Sequence, residues 1–297
     1  MTLVPVEPAL NETASFMEDV LQEYLPEAVG PQARVIEAMR YATLGGGKRI
    51  RAFLVLQSGR QFGVDRRALS RVAAAVECVH AYSLVHDDLP AMDNDDMRRG
   101  KPTVHRKFDE ATAILAGDAL LTHAFTLLAA HETHPDPHVR ADLVLRLSQA
   151  AGFAGMVGGQ MIDIGGKALL DDIGQITRMQ RLKTGALISF ACEAGALMGR
   201  APLQMRHALT NFAHDLGLAY QIVDDLLDHE GDAAVLGKAV RKDEKAGKAT
   251  FVTVLGTERA RAQAEILASQ GAAHLDVFDE KADLLRGLVD FVVNRRA

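Results

Sequence analysis

Five carboxylates crowd into ten residues at Asp87, Asp88, Asp93, Asp95 and Asp96, and three cations, Arg98, Arg99 and Lys101, follow at once. The run reads LVHDDLPAMDNDDMRRGKPTVH from Leu84 to His105. Hard carboxylate oxygens suit Mg²⁺ or Ca²⁺ rather than zinc. Arginines beside them suit phosphate oxygens, which a guanidinium grips with two parallel bonds. Such a block points to a site for a magnesium-bound phosphate ester. Asp87 and Asp93 are six apart, which on a regular helix puts them roughly 240° apart around the axis. They can share an ion only if the helix breaks between them. Pro90 supplies the break, because it lacks the N–H that would bond the carbonyl of His86. An acidic helix end followed by a polar loop is the plainer reading, and the apolar helix leading into the cluster weighs against it.

A second acidic cluster lies in Tyr220-Gln-Ile-Val-Asp-Asp-Leu-Leu-Asp228. Asp224 and Asp228 are one helical turn apart, and Gln221 is one turn before Asp224 and Asp225. Like charges at this spacing destabilise an isolated helix by about 0.2–0.5 kcal/mol. The macrodipole also disfavours anions near a helix C-terminus. A bound cation would offset both terms, and a solvated acidic helix end accounts for the same residues.

Other groups suit an anionic ligand. Gly45-Gly-Gly-Lys-Arg-Ile-Arg51 sets flexible backbone before a helix start, with Lys48 and Arg51 one turn apart, as a diphosphate cradle requires. Taken alone, such a turn is usually just a surface turn, and it lacks the GxxxxGK[ST] phosphate-loop pattern. His80 shares a helix face with Asp87, seven residues away and about 10.5 Å along the axis. A lone histidine in an Ala/Val run is more often a hydrogen-bonded core residue. Lys183 with Thr184, Lys238 and Lys248 stand near helix breaks or loops, and singly each reads as a solvated lysine. There is no CxxC, HExxH or GxSxG pattern.

The elements that would position these residues read as helices. Ala and Leu dominate, aromatics make up 5%, and Trp is absent, a composition that favours helix over strand. Periodicity and punctuation predict helices over residues 11–25, 31–41, 48–63, 66–88, 108–131, 139–156, 173–198, 202–229, 251–269 and 276–294. The segment GMVGGQMIDIGG reads as flexible and residues 230–248 as a loop. Helix 66–88 is apolar nearly all round, so other helices should surround it. No strand pattern and no linker is found. A single all-α bundle over residues 1–297 is expected.

With 297 residues, 48% of them hydrophobic, the chain can bury a sizeable core. The formal net charge of -6 argues against a nucleic-acid binder. Cys78 and Cys192 sit in apolar patterns and read as buried free thiols, which fits a reducing compartment. The first residues carry no basic stretch followed by a long apolar run, and no stretch approaches 18 uninterrupted apolar residues. No secretion signal, no membrane span and a cytoplasmic location are therefore expected.

Together these motifs resemble the trans-prenyltransferases, the isoprenyl diphosphate synthase family, from about Ala38 to Phe251. The order is the family's: GGKRIR, DDLPAMDNDDMRRGKPTVH, GGQMIDI, KTG, YQIVDDLLD, LGK and GKATF. The resemblance implies an all-α bundle around a central cavity, usually in a homodimer, with two aspartate-rich motifs at the cavity mouth. Three Mg²⁺ would bind there through the diphosphate of an allylic substrate. Asp87 and Asp93 would ligate two ions with Asp88 supporting, and Asp224 the third, with Asp225 and Asp228 binding that ion directly or holding its ligands. Arg98, Lys183 and Lys238 would hold the allylic diphosphate. Lys48, Arg51, His80 and Arg99 would hold isopentenyl diphosphate. Thr184 and Gln221 would lie beside the allylic cation, and Lys248 would lie in a lid.

The four-residue gap between Asp88 and Asp93 resembles bacterial farnesyl and plant-type geranylgeranyl synthases. In the farnesyl type an aromatic five residues before the first Asp floors the cavity, which here is Tyr82. Helix geometry alone favours Ser83 beneath Asp87. The resemblance thus implies farnesyl diphosphate as product, with geranylgeranyl or geranyl diphosphate as alternatives. A terpene cyclase needs no second diphosphate site, so Lys48, Arg51 and His80 argue against it. An inactive partner subunit would be expected to lose aspartates, and both motifs are whole. Three positions depart from the pattern: Ala52 stands where Pro is frequent, Tyr220 where Phe is usual, and Arg241 where Gly is common.

Overall fold

The computed structural model describes residues 5–166, 172–230 and 249–295. Fourteen α-helices and one two-strand ladder are found among these residues. The helices are α1 Glu7–Tyr24, α2 Ala33–Thr43, α3 Ile50–Arg60, α4 Arg66–Asp87, α5 Val104–Lys107, α6 Glu110–Ala129 and α7 Pro137–Ala151. Then come α8 Met156–Ile164, α9 Ile173–Gln180, α10 Ala186–Met198, α11 Leu203–Glu230, α12 Phe251–Leu255, α13 Thr257–His274 and α14 Asp283–Asn294. The all-α class expected from the sequence is the one observed.

α4 is the central pillar. Asp65 caps it, its side chain accepting from the backbone N–H groups of Arg67 and Ala68, which satisfies donors the helix cannot. α4 packs along α6, α3 and α10. Its Val72–Val76 run, Cys78 and Val79 are all fully buried, which is why it is apolar on every side. Both cysteines are buried free thiols. By length and composition α4 and α6 could each cross a membrane, yet 72% of the apolar stretch of α4 is buried inside the protein, against 44% for α6. α4 is therefore a core helix, while α6 keeps an open apolar face. One buried cluster spans α1 to α7, α10 and α14, and a second joins α9, α12 and α13. α11 feeds both, through Leu209–Leu216 and then Leu218–Leu226.

Three expectations are corrected. A short antiparallel ladder, β1 Met97–Arg98 with β2 Lys101–Pro102, stands where no strand was foreseen. Its two-residue loop is Arg99-Gly100, with φ of 51° and 73°. Positive φ at both central residues suits a tight hairpin. Residues 156–164 form α8 rather than a flexible run, because Met156 joins the main core and Gly159 is buried against the turn at Lys183. The helix foreseen over 173–198 is divided: Arg181–Gly185 forms a π turn between α9 and α10. Such turns frequently mark functional sites.

Candidate active site

α4 delivers the first acidic motif and Pro90 ends the helix. The chain then folds back on itself. Asp93 N–H donates to the Asp87 carbonyl at 2.8 Å, Asp95 N–H to that of Asp88 at 3.2 Å, and Leu89 N–H to that of His86 at 3.1 Å. The break brings Asp93 back under Asp87, as the spacing required. Burial pushes the Asp87 carboxyl up to about 6; the Lys183 ammonium opposes the rise and the Asp93 charge adds to it. Asp88 is differently employed. It is 3% exposed and gripped by Arg98, whose Nε lies 2.9 and 3.0 Å from its two oxygens and whose Nη2 lies 2.7 Å from Oδ1. Asp88 thus aims the Arg98 guanidinium.

The cationic side is built on the glycine turn. Gly45, Gly46 and Gly47 have φ of 85°, 127° and 110°, a region closed to most side chains. Two of them also let cations approach the turn: a Cβ on Gly45 would lie 2.6 Å from Lys101 Nζ, and one on Gly47 2.8 Å from Arg99 Nη1. Arg99 Nη1 donates to the Gly46 carbonyl at 3.0 Å, so the hairpin is latched to this turn. Arg49 turns inward, 4% exposed at its side chain, and pairs with the equally buried Glu77 at 3.1 Å. It also donates to the Thr43 carbonyl at 2.6 Å. Glu77 in turn accepts from the Ala52 N–H at 3.2 Å. A proline at position 52 would lack that donor, so the departure at Ala52 is used here.

Arg51 is half-buried, and its buried Nε has no hydrogen-bond partner within the protein. Burial lowers its pKa. His80 lies in the field of Arg51, Arg99, Arg98 and Arg49, and burial followed by those charges holds it well below 6.5. It is a neutral imidazole among cations. Lys48 sits over the Phe291 ring at 5.6 Å. Burial lowers its pKa, the Arg295 charge adds to this, and Asp224 opposes it.

α11 and the π turn supply the other wall. Lys183 Nζ meets Asp163 Oδ2 of α8 at 2.6 Å. The Thr184 hydroxyl donates to Gln221 Oε1 at 3.2 Å. Gln221 Nε2 donates to Asp225 Oδ1 at 3.0 Å, and Asp225 Oδ2 accepts from the Phe251 N–H at 3.0 Å. Asp225 is thereby 4% exposed and ties α11 to the start of α12. Asp228 is buried as well, whereas the Asp224 side chain is 40% exposed. Lys238 and Lys248, with Arg241, lie outside the described residues.

Between the end of α4, α8 and the π turn opens a cavity of about 430 Å³ lined by Arg51, His80, Asp87, Lys183, Thr184 and Gln160. Tyr82, Met92, Met156, Val157 and Met161 make much of the rest. Tyr82 is 7% exposed, and burial, then the Asp87 charge, pushes its phenol up to about 12. Ser83 lines the same cavity and spends its hydroxyl on the His80 carbonyl at 2.9 Å.

Four residues of the site had no role in the sequence reading. Arg49 and Glu77 were hidden because a buried ion pair 28 positions apart leaves no periodic trace. Gln160, within the GGQMIDI run, has both amide atoms buried without a partner, a costly state unless a ligand meets them. Arg295 places Nη2 3.1 Å from the Tyr220 carbonyl and 3.4 Å from Asp224 Oδ1, with its guanidinium 3.9 Å over the Tyr220 ring. The second departure, Tyr220, is thus the platform for this arginine. For Arg295 only its charge at the chain's end could have been a signal.

The donor chemistry fits Mg²⁺. Among the described residues no group of three His, Cys, Asp or Glu converges as a closed cage. Mg²⁺ prefers one or two carboxylates, several waters and the phosphates of a substrate. Asp87, which feels the charge of Asp93, and the partly exposed Asp224 offer oxygen-only donors of that open kind.

The sequence profile of the family described as Polyprenyl synthetase matches residues 32–282. The farnesyl diphosphate synthase of Escherichia coli K12 is 45% identical over 269 residues, covering 88% of this chain and 89% of that one. The farnesyl diphosphate synthase of Geobacillus stearothermophilus is 41% identical, covering 99% of each. The apo crystal structure of an FPP/GFPP synthase from Zymomonas mobilis superposes with a TM-score of 0.88 at 47% identity, over 97% of this chain and 98% of that one.

Proposed function

The chain belongs to the polyprenyl synthetase family and is a prenyltransferase, and from that premise we propose that it joins isopentenyl diphosphate head-to-tail to dimethylallyl and then geranyl diphosphate, releasing farnesyl diphosphate. The observation that carries this reading is the one cavity in which Asp87, Lys183 and Thr184 stand beside Arg51 and His80, with Tyr82 among its apolar lining. Two anionic groups can be held there with an apolar tail between them.

Lys183 and Arg98 hold the allylic diphosphate, each already aimed by a carboxylate, Asp163 or Asp88. Arg51, Arg99, Lys48 and the neutral His80 hold the diphosphate of isopentenyl diphosphate. Asp87 and Asp93 would hold two Mg²⁺ and Asp224 a third, and the charge these bring when bound stabilises the departing diphosphate. As the allylic C–O bond breaks, the oxygens of Thr184 and Gln221 face the developing cation, while the apolar walls keep water from it. The double bond of isopentenyl diphosphate forms the new C–C bond. The proton then lost from that unit goes to the released diphosphate, which is why no protein base is required. Asp225 and Asp228 brace the wall that carries Asp224, and Lys238 and Lys248 are assigned to the diphosphate and the lid by resemblance alone.

The neighbouring helices α6 and α7 leave Ile114, Leu115 and Leu145 at 44–57% exposure, and Phe153 beyond them at 90%. Apolar surface of this kind supports a homodimer through α6 and α7, which light scattering on the eluted protein tests directly. The function is tested by incubating the protein with Mg²⁺, isopentenyl diphosphate and dimethylallyl or geranyl diphosphate and measuring product chain length. A fifteen-carbon product is expected, and no extended product would refute the reading.

A further inference from the structure

We propose that His86, seated in a notch of α6 made by Gly117, is a positioning residue that sets the depth of the cavity through Tyr82. This deepens the chain-elongating function above and rests on it. His86 precedes Asp87 and lines the same cavity as Tyr82 and Ser83. It is one helical turn after Tyr82, so the two side chains share a face of α4. The rings meet edge-on, with centroids 5.6 Å apart and planes at 84°.

On its other side the imidazole is fixed by α6. Nε2–H donates to the Ile114 carbonyl at 3.0 Å, and Asp118 Oδ1 stands 4.0 Å from the same nitrogen. The ring can lie this close only because residue 117 is glycine. A Cβ there would lie 2.1 Å from His86 Nε2, 2.4 Å from Cδ2 and 2.9 Å from Cε1. Gly117 is buried in the middle of α6 and has no positive φ. Its backbone therefore needs no glycine, and glycine in a helix interior is disfavoured. Close approach of His86 is what requires glycine at this position.

The consequence for the reaction is directional. α6 stands on one side of the ring and the cavity on the other. Any side chain at 117 pushes the imidazole off α6 and into the cavity that the growing chain must enter. Removing the imidazole leaves Tyr82 without its edge-on neighbour and opens a void next to it. The cavity's length is thus measured from α6 through Gly117, His86 and Tyr82 in turn.

The test uses the full chain with Mg²⁺, isopentenyl diphosphate and dimethylallyl diphosphate, reading the ten-, fifteen- and twenty-carbon products, with melting temperature measured in parallel. Gly117→Ala should raise the ratio of ten- to fifteen-carbon product by about tenfold. His86→Ala should instead bring in twenty-carbon product. The double variant should follow His86→Ala, since no ring is left to displace, a non-additive result that contact between the two sites requires. Should Gly117→Ala fail to fold, the His86→Ala arm decides alone. An unchanged product distribution in folded His86→Ala overturns the proposal. If wild type makes no extended product, the prenyl-elongating reading itself fails. If wild type elongates and Tyr82→Ala lengthens its product while neither His86 nor Gly117 substitution moves the ratio, only this inference fails.

Discussion

Replacing Glu77 by Gln removes one charge from an ion pair in which Arg49 and Glu77 are 4% and 3% exposed. At that burial the partner left behind keeps only the longer, solvent-exposed pair to Glu18 at 3.5 Å, and breaking such a buried pair costs about 3–5 kcal/mol. Gln retains an oxygen for the Ala52 N–H, and Arg49 retains its bond to the Thr43 carbonyl, which places the loss near the lower end. For a chain of 297 residues each kcal/mol shifts the midpoint by about 1.6 °C, so a fall of roughly 5 °C is expected. The functional effect should be one-sided. Arg49 lies between Lys48 and Arg51 and is held at φ 48°, a left-handed conformation that costs a non-glycine residue about 1–2 kcal/mol. Once the pair is broken, the turn bearing Lys48 and Arg51 relaxes, while Lys183 and Arg98 keep their own carboxylates. The assay pairs a thermal melt with separate KM determinations for isopentenyl and allylic diphosphates. KM for isopentenyl diphosphate should rise by about tenfold, equivalent to about 1.4 kcal/mol, with the allylic KM little changed. A midpoint within about 2 °C of wild type, or an equal rise in both constants, would refute the claim that this pair shapes the second diphosphate site.

Three further outcomes are expected. His80 is held well below its ordinary 6.5 by burial and four arginines, so below pH 6.5 the unfolded chain takes up a proton that the folded chain refuses. Stability from this group is unaffected above pH 6.5 and is lost on acidification, by at most about 1.4 kcal/mol per pH unit, and His80→Gln should flatten that limb in melts between pH 7 and 5.5. Asp163→Asn removes the charge that holds Lys183 at 2.6 Å and should lower kcat/KM for the allylic substrate about tenfold, the weight of one charge-assisted bond, with a native circular dichroism spectrum. Tyr82→Ala should lengthen the product beyond fifteen carbons, and products no longer than wild type's would show that Tyr82 is not the floor.

Much of this architecture is legible from local chemistry. Pro90 reads as the break that lets Asp93 return to Asp87, and the Asp93 N–H does bond the Asp87 carbonyl. The unbroken apolar run of α4 demands surrounding helices and has them. What local chemistry hides are features that depend on distant partners. Asp88 looks like one more metal ligand until Arg98 is seen to occupy both its oxygens. Arg49 looks like a surface cation within GGKRIR, yet Glu77 draws it inside. Asp225 looks like Asp224, but Gln221 and the Phe251 N–H take its two oxygens. The π turn at Arg181–Gly185 has no periodic signature, since one extra residue per turn is a matter of packing. A Cβ on Gly159 would lie 2.2 Å from the Lys183 nitrogen, so α8 presses directly on that turn.

Elongation couples loss of diphosphate from the allylic substrate to capture of the resulting cation by isopentenyl diphosphate. Diphosphate release from geranyl diphosphate, followed with and without isopentenyl diphosphate in the presence of Mg²⁺, measures this directly. One diphosphate released for each fifteen-carbon chain formed, with little release when isopentenyl diphosphate is omitted, is the predicted result. Release that proceeds equally well without isopentenyl diphosphate, or that yields only hydrolysed or cyclised ten-carbon products, would contradict it.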